Sequence, residues 1–357
     1  MASIIHLLNF PFIPEVSDFG KDVIQSITIW EWLLLLPSLV ILSYVYNDRG
    51  GKYSPLVRGL GSAVFGLFWL TQAFVYFEPS HFDVVNGAIA MMGFLLFGFI
   101  AAHCYLDHKW GERTKSIGWL LRTAAITGLA YFILEHVPQT QGALIYVVAW
   151  ATYGVLVLFG NDVTIQSGFP MGINDGLVIA SGDPNDASIR IVFACTAALA
   201  LFLFSAAVIA TRTDKGEWKG WAEKELRRTE DSASFWVRSK RNGIKNILKM
   251  TDSQRKFAAL LAVIPIIFVT NIFRNVGVIA VVYAGRISFY DAHNIYAKVL
   301  SLVMMIFLTW VLFEFLPELQ EDMMGLFDLL KRVKKGMMVN GRLDLKYIRK
   351  PDEESLR

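Results

Sequence analysis

A thiol, a guanidinium and an imidazole supply the chemistry that this sequence can bring to one membrane depth: Cys195, Arg274 and His293. Cys195 falls a few residues inside an apolar stretch that follows a polar loop rich in Gly, Asp and Asn. At the helical rise of about 1.5 Å per residue it would lie roughly 8 Å below the membrane surface. Arg274, within Asn271-Ile272-Phe273-Arg274-Asn275, stands roughly 26 Å along its own apolar segment, which brings it to the same level. His293 opens the last apolar segment from that side. These are the parts of an acyl-transfer site. A thiolate attacks a carbonyl and an imidazole relays the proton between thiol and leaving amine. A guanidinium stabilises the thiolate or the tetrahedral oxyanion in a dry pocket.

Each residue also has a plain structural reading. A lone Cys in an apolar helix is usually a small buried hydrophobe, and an Arg near the boundary snorkels to headgroups. A His at a helix start is usually a polar interfacial residue. What favours chemistry is the convergence of the three on one depth and one side. Asn271 and Asn275 flank the guanidinium, to hold it or to bind substrate. His6, His81, His103, His108 and His136 fall at loops or segment ends and carry no such signal. No HExxH, CxxC pair, Walker loop or strand-linked GxGxxG is present, so no metal, nucleotide or other cofactor is expected.

The elements that must position these groups are membrane spans. Of 357 residues 54% are hydrophobic and only 18% charged, which describes a polytopic all-α integral membrane protein and excludes a soluble domain with one anchor. Eight apolar segments are expected as transmembrane helices, at 26–46, 57–77, 84–105, 117–135, 142–159, 190–211, 257–284 and 293–316. Residues 1–25 read as an N-terminal interfacial segment, 26–317 as the transmembrane domain, and 318–357 as a basic tail. That tail opens with helical periodicity at Leu319, Met323, Leu326, Phe327 and Leu330, either as a helix on the anionic inner leaflet or as a solvated one.

Charge sets the sidedness. The linker 212–256 carries thirteen Lys or Arg and the tail after Pro317 nine, so both are expected in the cytoplasm. The loop 160–189 is expected outside, because Gly160 to Ser188 has no Lys or Arg. Within it, Val163-Thr164-Ile165 and Leu177-Val178-Ile179 suit a small β-hairpin, and an irregular loop suits the composition equally. Eight crossings conflict with the first half. They put Arg49, Lys52 and Arg58, and Lys109, Arg113 and Lys115, on the outside, against the local bias. A re-entrant 142–159 would relieve that conflict. Two cysteines, Cys104 and Cys195, make no disulfide framework.

The motifs Ala194-Cys195-Thr196, Asn271-x-x-Arg274-Asn275 and Ala292-His293-Asn294, in this order and on one side, resemble the exosortase/archaeosortase family, closest to its archaeosortase A branch. The resemblance extends over most of the multi-span chain, chiefly 160–317. It implies Cys195, Arg274 and His293 as the catalytic residues of a membrane cysteine transpeptidase facing the extracytoplasmic side. The implied substrates are surface proteins, S-layer glycoprotein among them, that end in a Pro-Gly-Phe-type motif, a transmembrane helix and a basic cluster. The implied acyl acceptor is a membrane lipid, and an archaeal source follows from the resemblance alone. Many members have Gly where this chain has Ala197, and the linker 212–256 is long for the family. Where the family's second arginine is sought, Arg190 and Arg286 are both on the outer side. No nucleic-acid partner is expected, and oligomeric state is not readable. Two other readings stand beside this one. One is a transporter or scaffold whose Arg274 binds an anionic ligand or lipid. The other, a glycan or lipid transferase, finds only Asp162, Asp175, Asp183 and Asp186 in the outer loop.

Overall fold

A computed structural model describes residues 31–44, 53–78, 83–111, 113–166, 177–181, 189–213, 215–228, 244–245 and 249–338. The expected interfacial segment 1–25 and the tail beyond Met338 lie outside these residues. The helices are α1 (Leu36–Tyr44), α2 (Ser54–Phe77), α3 (Val84–Trp110), α4 (Lys115–His136) and α5 (Pro138–Leu158). They continue with α6 (Ala198–Ala210), α7 (Lys215–Arg228), α8 (Asp252–Tyr283), α9 (Ala297–Phe315) and α10 (Pro317–Met338). Between α5 and α6 lie three strands, β1 (Val163–Gln166), β2 (Leu177–Ser181) and β3 (Ile189–Ile191).

The chain has the character of a multi-pass membrane protein. Six of these helices are long and apolar enough to cross a membrane: α2, α3, α4, α5, α8 and α9. Two of the eight expected segments yield shorter apolar helices, Leu33–Leu42 and Ala198–Ala210. The segment 190–211 falls short because its first residues are spent elsewhere: Ile189–Ile191 joins a sheet and Phe193–Thr196 forms a 3-10 turn. Cys195 is therefore in a turn ahead of a helix, not inside one.

The β-hairpin is present and gains a third strand. β1 pairs antiparallel with β2, Val163 opposite Ser181, and β2 pairs antiparallel with β3, Leu177 opposite Ile191. Alternation decides which side of each strand is buried, so Ile189 and Ile191 face the core while Arg190 faces out.

Side-chain contacts fix the two ends of the bundle. At one end the Trp119 indole donates to Ala207 O at 3.2 Å and the Arg122 guanidinium to Ala210 O at 3.2 Å. There too Lys256 Nζ reaches Thr211 O at 2.6 Å, and Arg255 grips Glu318 at 2.8 and 3.3 Å, both side chains buried. Gly325 lets α10 lie directly on Ser116; a Cβ there would collide with its hydroxyl. α10 packs on the bundle through Leu319 and Leu329, while Met324, Phe327 and Leu330 stay exposed. At the other end Tyr131 meets Phe193 with ring centroids 5.4 Å apart, Tyr283 donates to Ile179 O, and Asp83 pairs with Lys298.

These contacts place the α3–α4 junction at the end of the bundle away from the sheet. Lys109, Arg113 and Lys115 flank the junction of α3 and α4, at the Arg255–Glu318 end and opposite the sheet. α5 starts directly after α4 at the sheet end and runs back into β1, so both of its ends lie on the sheet side. Its face of Ile145, Val148, Ala149 and Leu156 packs into one core with Val163, Ile179, Phe193, Cys195 and α8 residues Ile272, Val276 and Ile279.

Candidate active site at the sheet end of the bundle

The site begins with a sharp strand-to-helix turn. After β3 the chain reverses: Cys195 N donates to Val192 O at 2.8 Å and Thr196 Oγ1 donates to Phe193 O at 2.7 Å. Ala197 then adopts a left-handed conformation, φ 57° and ψ 20°, and α6 starts at the next residue. An L-residue pays roughly 1–2 kcal/mol for this region, where Gly is free of the cost. Ala197 is the one non-glycine with positive φ among the described residues. Cys195 is buried, 7% exposed.

α8 holds this turn from the other side. The Asn271 amide donates to Cys195 O at 2.7 Å and the Asn275 amide to the same oxygen at 3.2 Å. Spacing of four puts both amides on one face of the helix. Arg274, between them in sequence, donates to Asn275 Oδ1 at 3.1 Å. The two asparagines therefore act mainly on the Cys195 backbone, and Asn275 ties the guanidinium. Two polar atoms remain buried without a hydrogen-bond partner: Arg274 Nε and Asn271 Oδ1.

His293 enters from the connection between α8 and α9. It lies in a π-turn, Ala292–Tyr296, and its ring stacks on Phe289 with centroids 5.3 Å apart and planes 13° apart. The charged groups acting on the ring are Arg274, Lys298 and Asp83. Arg274 is linked through Asn275 to the Cys195 carbonyl, and its charge acts on the His293 ring.

Comparison of the chain with protein-family models, curated proteins and solved structures finds no match. The chemistry must be argued from the residues themselves. Among the described residues, no group of three or more His, Cys, Asp or Glu side chains is placed to hold a metal ion. What is assembled is a buried thiol on a fixed backbone, a guanidinium beside it with an unused donor, and a half-buried imidazole. Those groups suffice for nucleophilic attack on a carbonyl with proton relay and oxyanion stabilisation.

The proposed second arginines fall differently. Arg190 points outward from β3 and Arg286 is exposed in the connection after α8. Sequence reading missed Asp83 and Lys298. The local signal for Asp83 was an N-cap: it accepts from Asn86 N at 3.0 Å at the start of α3. Nothing local links it to Lys298, 215 positions away.

Proposed function

We propose that this chain is a membrane-embedded cysteine transpeptidase of the archaeosortase kind, acting on C-terminal sorting tails of surface proteins. The observation that carries the reading is the hydrogen-bonded chain from the Cys195 carbonyl through Asn275 to the Arg274 guanidinium, which holds a cation next to the turn that bears the thiol. An isolated structural cysteine needs neither partner. The unpartnered Arg274 Nε donor and Asn271 Oδ1 acceptor beside it match the C=O and N–H of a peptide unit.

In this reading His293 takes the proton from Cys195 Sγ as sulfur attacks the scissile carbonyl carbon. Arg274 stabilises the oxyanion, the C–N bond breaks, and the leaving amine takes the proton back from His293. The thioester on Cys195 is then attacked by a lipid hydroxyl, whose proton passes to His293 as the sulfur departs. A site shielded by β3, α5 and α8 favours that acceptor over bulk water. The sheet end would face the extracytoplasmic side and the Arg255–Glu318 end the cytoplasm. The basic residues support this, since Lys109, Arg113, Lys115, Arg122 and Lys256 all fall at the latter end.

The test is reconstitution in liposomes with a substrate bearing a Pro-Gly-Phe-type tail, followed by intact mass. Wild type should shorten the substrate or hold a thioester, and Cys195→Ala should do neither. Processing that survives Cys195→Ala would end the mechanism. No mass change with any of several tails would favour a non-enzymatic transporter or scaffold, for which the unused Arg274 donor would be an anion-binding group.

A further inference from the structure

His293 hangs on a connection with little to hold it. Ala284, Gly285, Arg286 and Ser288 are exposed, and the backbone turns through Gly285 at φ +64°. The hydrogen bonds of Ser288 are local, its hydroxyl donating to Asp291 at 2.8 Å and capping the next turn. Phe289, Tyr290, Ile295 and Tyr296 are all exposed. The π-turn then hands the chain to α9 through a bond from Ala297 N to Ala292 O. An i→i+5 turn brings residues five apart towards one side of a helix, here His293 and Lys298.

Lys298 is tied across the bundle. Its ammonium contacts both Asp83 oxygens, at 3.4 and 3.2 Å. Asp83 is itself fixed: it accepts from Asn86 N at 3.0 Å and Asn86 Nδ2 at 2.9 Å, and its own N–H donates to Tyr76 O at 2.9 Å. Gly87 allows Phe77 to close the α2–α3 hairpin beneath it, since a Cβ there would meet the ring at 2.6 Å. Partial burial pushes the Asp83 carboxyl up, but the Asn86 N–H and the Lys298 ammonium outweigh it and hold it below the usual carboxylate range. The carboxylate is thus charged at neutral pH and anchored on a rigid corner.

We propose that the Asp83–Lys298 pair is a positioning device for His293, tying the turn that carries the imidazole to the head of the α2–α3 hairpin so that the ring keeps its half-buried place at the sheet end of the bundle. The role in catalysis rests on the transpeptidase reading above; the tether itself does not. Neither Asp83 nor Lys298 touches the reacting atoms. They fix where the proton carrier stands, and they do so from a hairpin that contributes nothing else to the site.

The test separates the two layers. The His293 ring is followed by NMR in detergent with labelled histidine, its signal assigned by loss in His293→Gln. Lys298→Met and Asp83→Asn both break the tether, so each should let the ring leave its half-buried place and raise the titration midpoint of His293 towards its ordinary value. Lys298→Arg should keep the wild-type midpoint. Lys298→Met leaves the Asn86 cap untouched, so it reports on the tether even where Asp83→Asn loosens α3. Where wild type processes a tailed substrate, Lys298→Met and Asp83→Asn should each slow it roughly tenfold, about 1.4 kcal/mol. The exchanged pair Asp83→Lys with Lys298→Asp should recover much of that rate. A midpoint that falls or stays unmoved in Asp83→Asn overturns the tether, because loss of the carboxylate charge alone lowers it. Midpoints raised in both variants with wild type inactive on every tail uphold the tether and count against the transpeptidase reading instead.

Discussion

The Asn271 side-chain amide donates to the backbone carbonyl of Cys195 at 2.7 Å, across 76 positions of sequence. The Cys195 peptide group is thereby held by a transmembrane helix, with Asn275 gripping the same oxygen. A buried carbonyl stripped of its donors costs about 1–3 kcal/mol, but one remaining amide covers most of that. Asn271→Ala and Asn275→Ala should each destabilise modestly and the double substitution by more than their sum, read as thermal unfolding midpoints in detergent. Strict additivity would mean the two amides do not share the oxygen. Asn275→Ala should also release Arg274, so it should cost more processing activity than its stability loss explains.

Ala197 offers a test of the turn itself. Its left-handed backbone, at φ 57°, carries a strain of about 1–2 kcal/mol that glycine would relieve, offset by the roughly 0.4–1 kcal/mol of extra freedom glycine has when unfolded. Ala197→Gly should therefore be neutral to slightly stabilising and keep processing activity. Ala197→Val should be clearly destabilising, because a β-branched residue tolerates this region worst. Thermal midpoints ordered Gly at or above Ala, with Val well below, are expected; Val matching wild type would refute the turn.

The return of α5 to the sheet end predicts a labelling pattern. In a cysteine-free background, Gln139→Cys and Asp162→Cys bracket α5, and both native positions are exposed. In sealed vesicles an impermeant maleimide should reach both from the same side. Arg113→Cys, exposed at the α3–α4 junction, should label from the opposite side. If residues 139 and 162 label from opposite sides, α5 crosses the membrane.

The pH dependence follows from His293, in the turn ahead of the α9 span. Burial first, then the Arg274 and Lys298 charges, hold the imidazole below its ordinary value of 6.5, with Asp83 pulling weakly the other way. A lowered value keeps the ring neutral, and so able to accept the thiol proton, down to more acidic pH than a free histidine. Processing should hold its rate as pH falls from neutrality to 6.5 and drop only below. An acid limb with its midpoint above 7 would exclude His293 as the base, or the burial that lowers it.

Much of this was legible in the residues themselves. Apolar runs report the free energy of leaving water, so α2, α3, α4, α8 and α9 fall close to the segments expected from composition. Alternation in Val163–Ile165 and Leu177–Ile179 was enough for the first strand pair, since period two needs no distant partner. The residue types Cys195, Arg274 and His293 pointed to the chemistry proposed above before any geometry.

Tertiary structure alone decided how those pieces meet. Ile189–Ile191 is as apolar as a helix start, and only the edge of β2 offered it strand hydrogen bonds, which moved Cys195 from helix to turn. Hydropathy is equally blind to where a long apolar helix ends, so α5 could return to the sheet end without changing a residue of its composition. The partners of Cys195 O lie 76 and 80 positions away and that of Asp83 lies 215 away. Such pairings depend on which helix faces pack together, a property of the whole bundle that no local pattern carries.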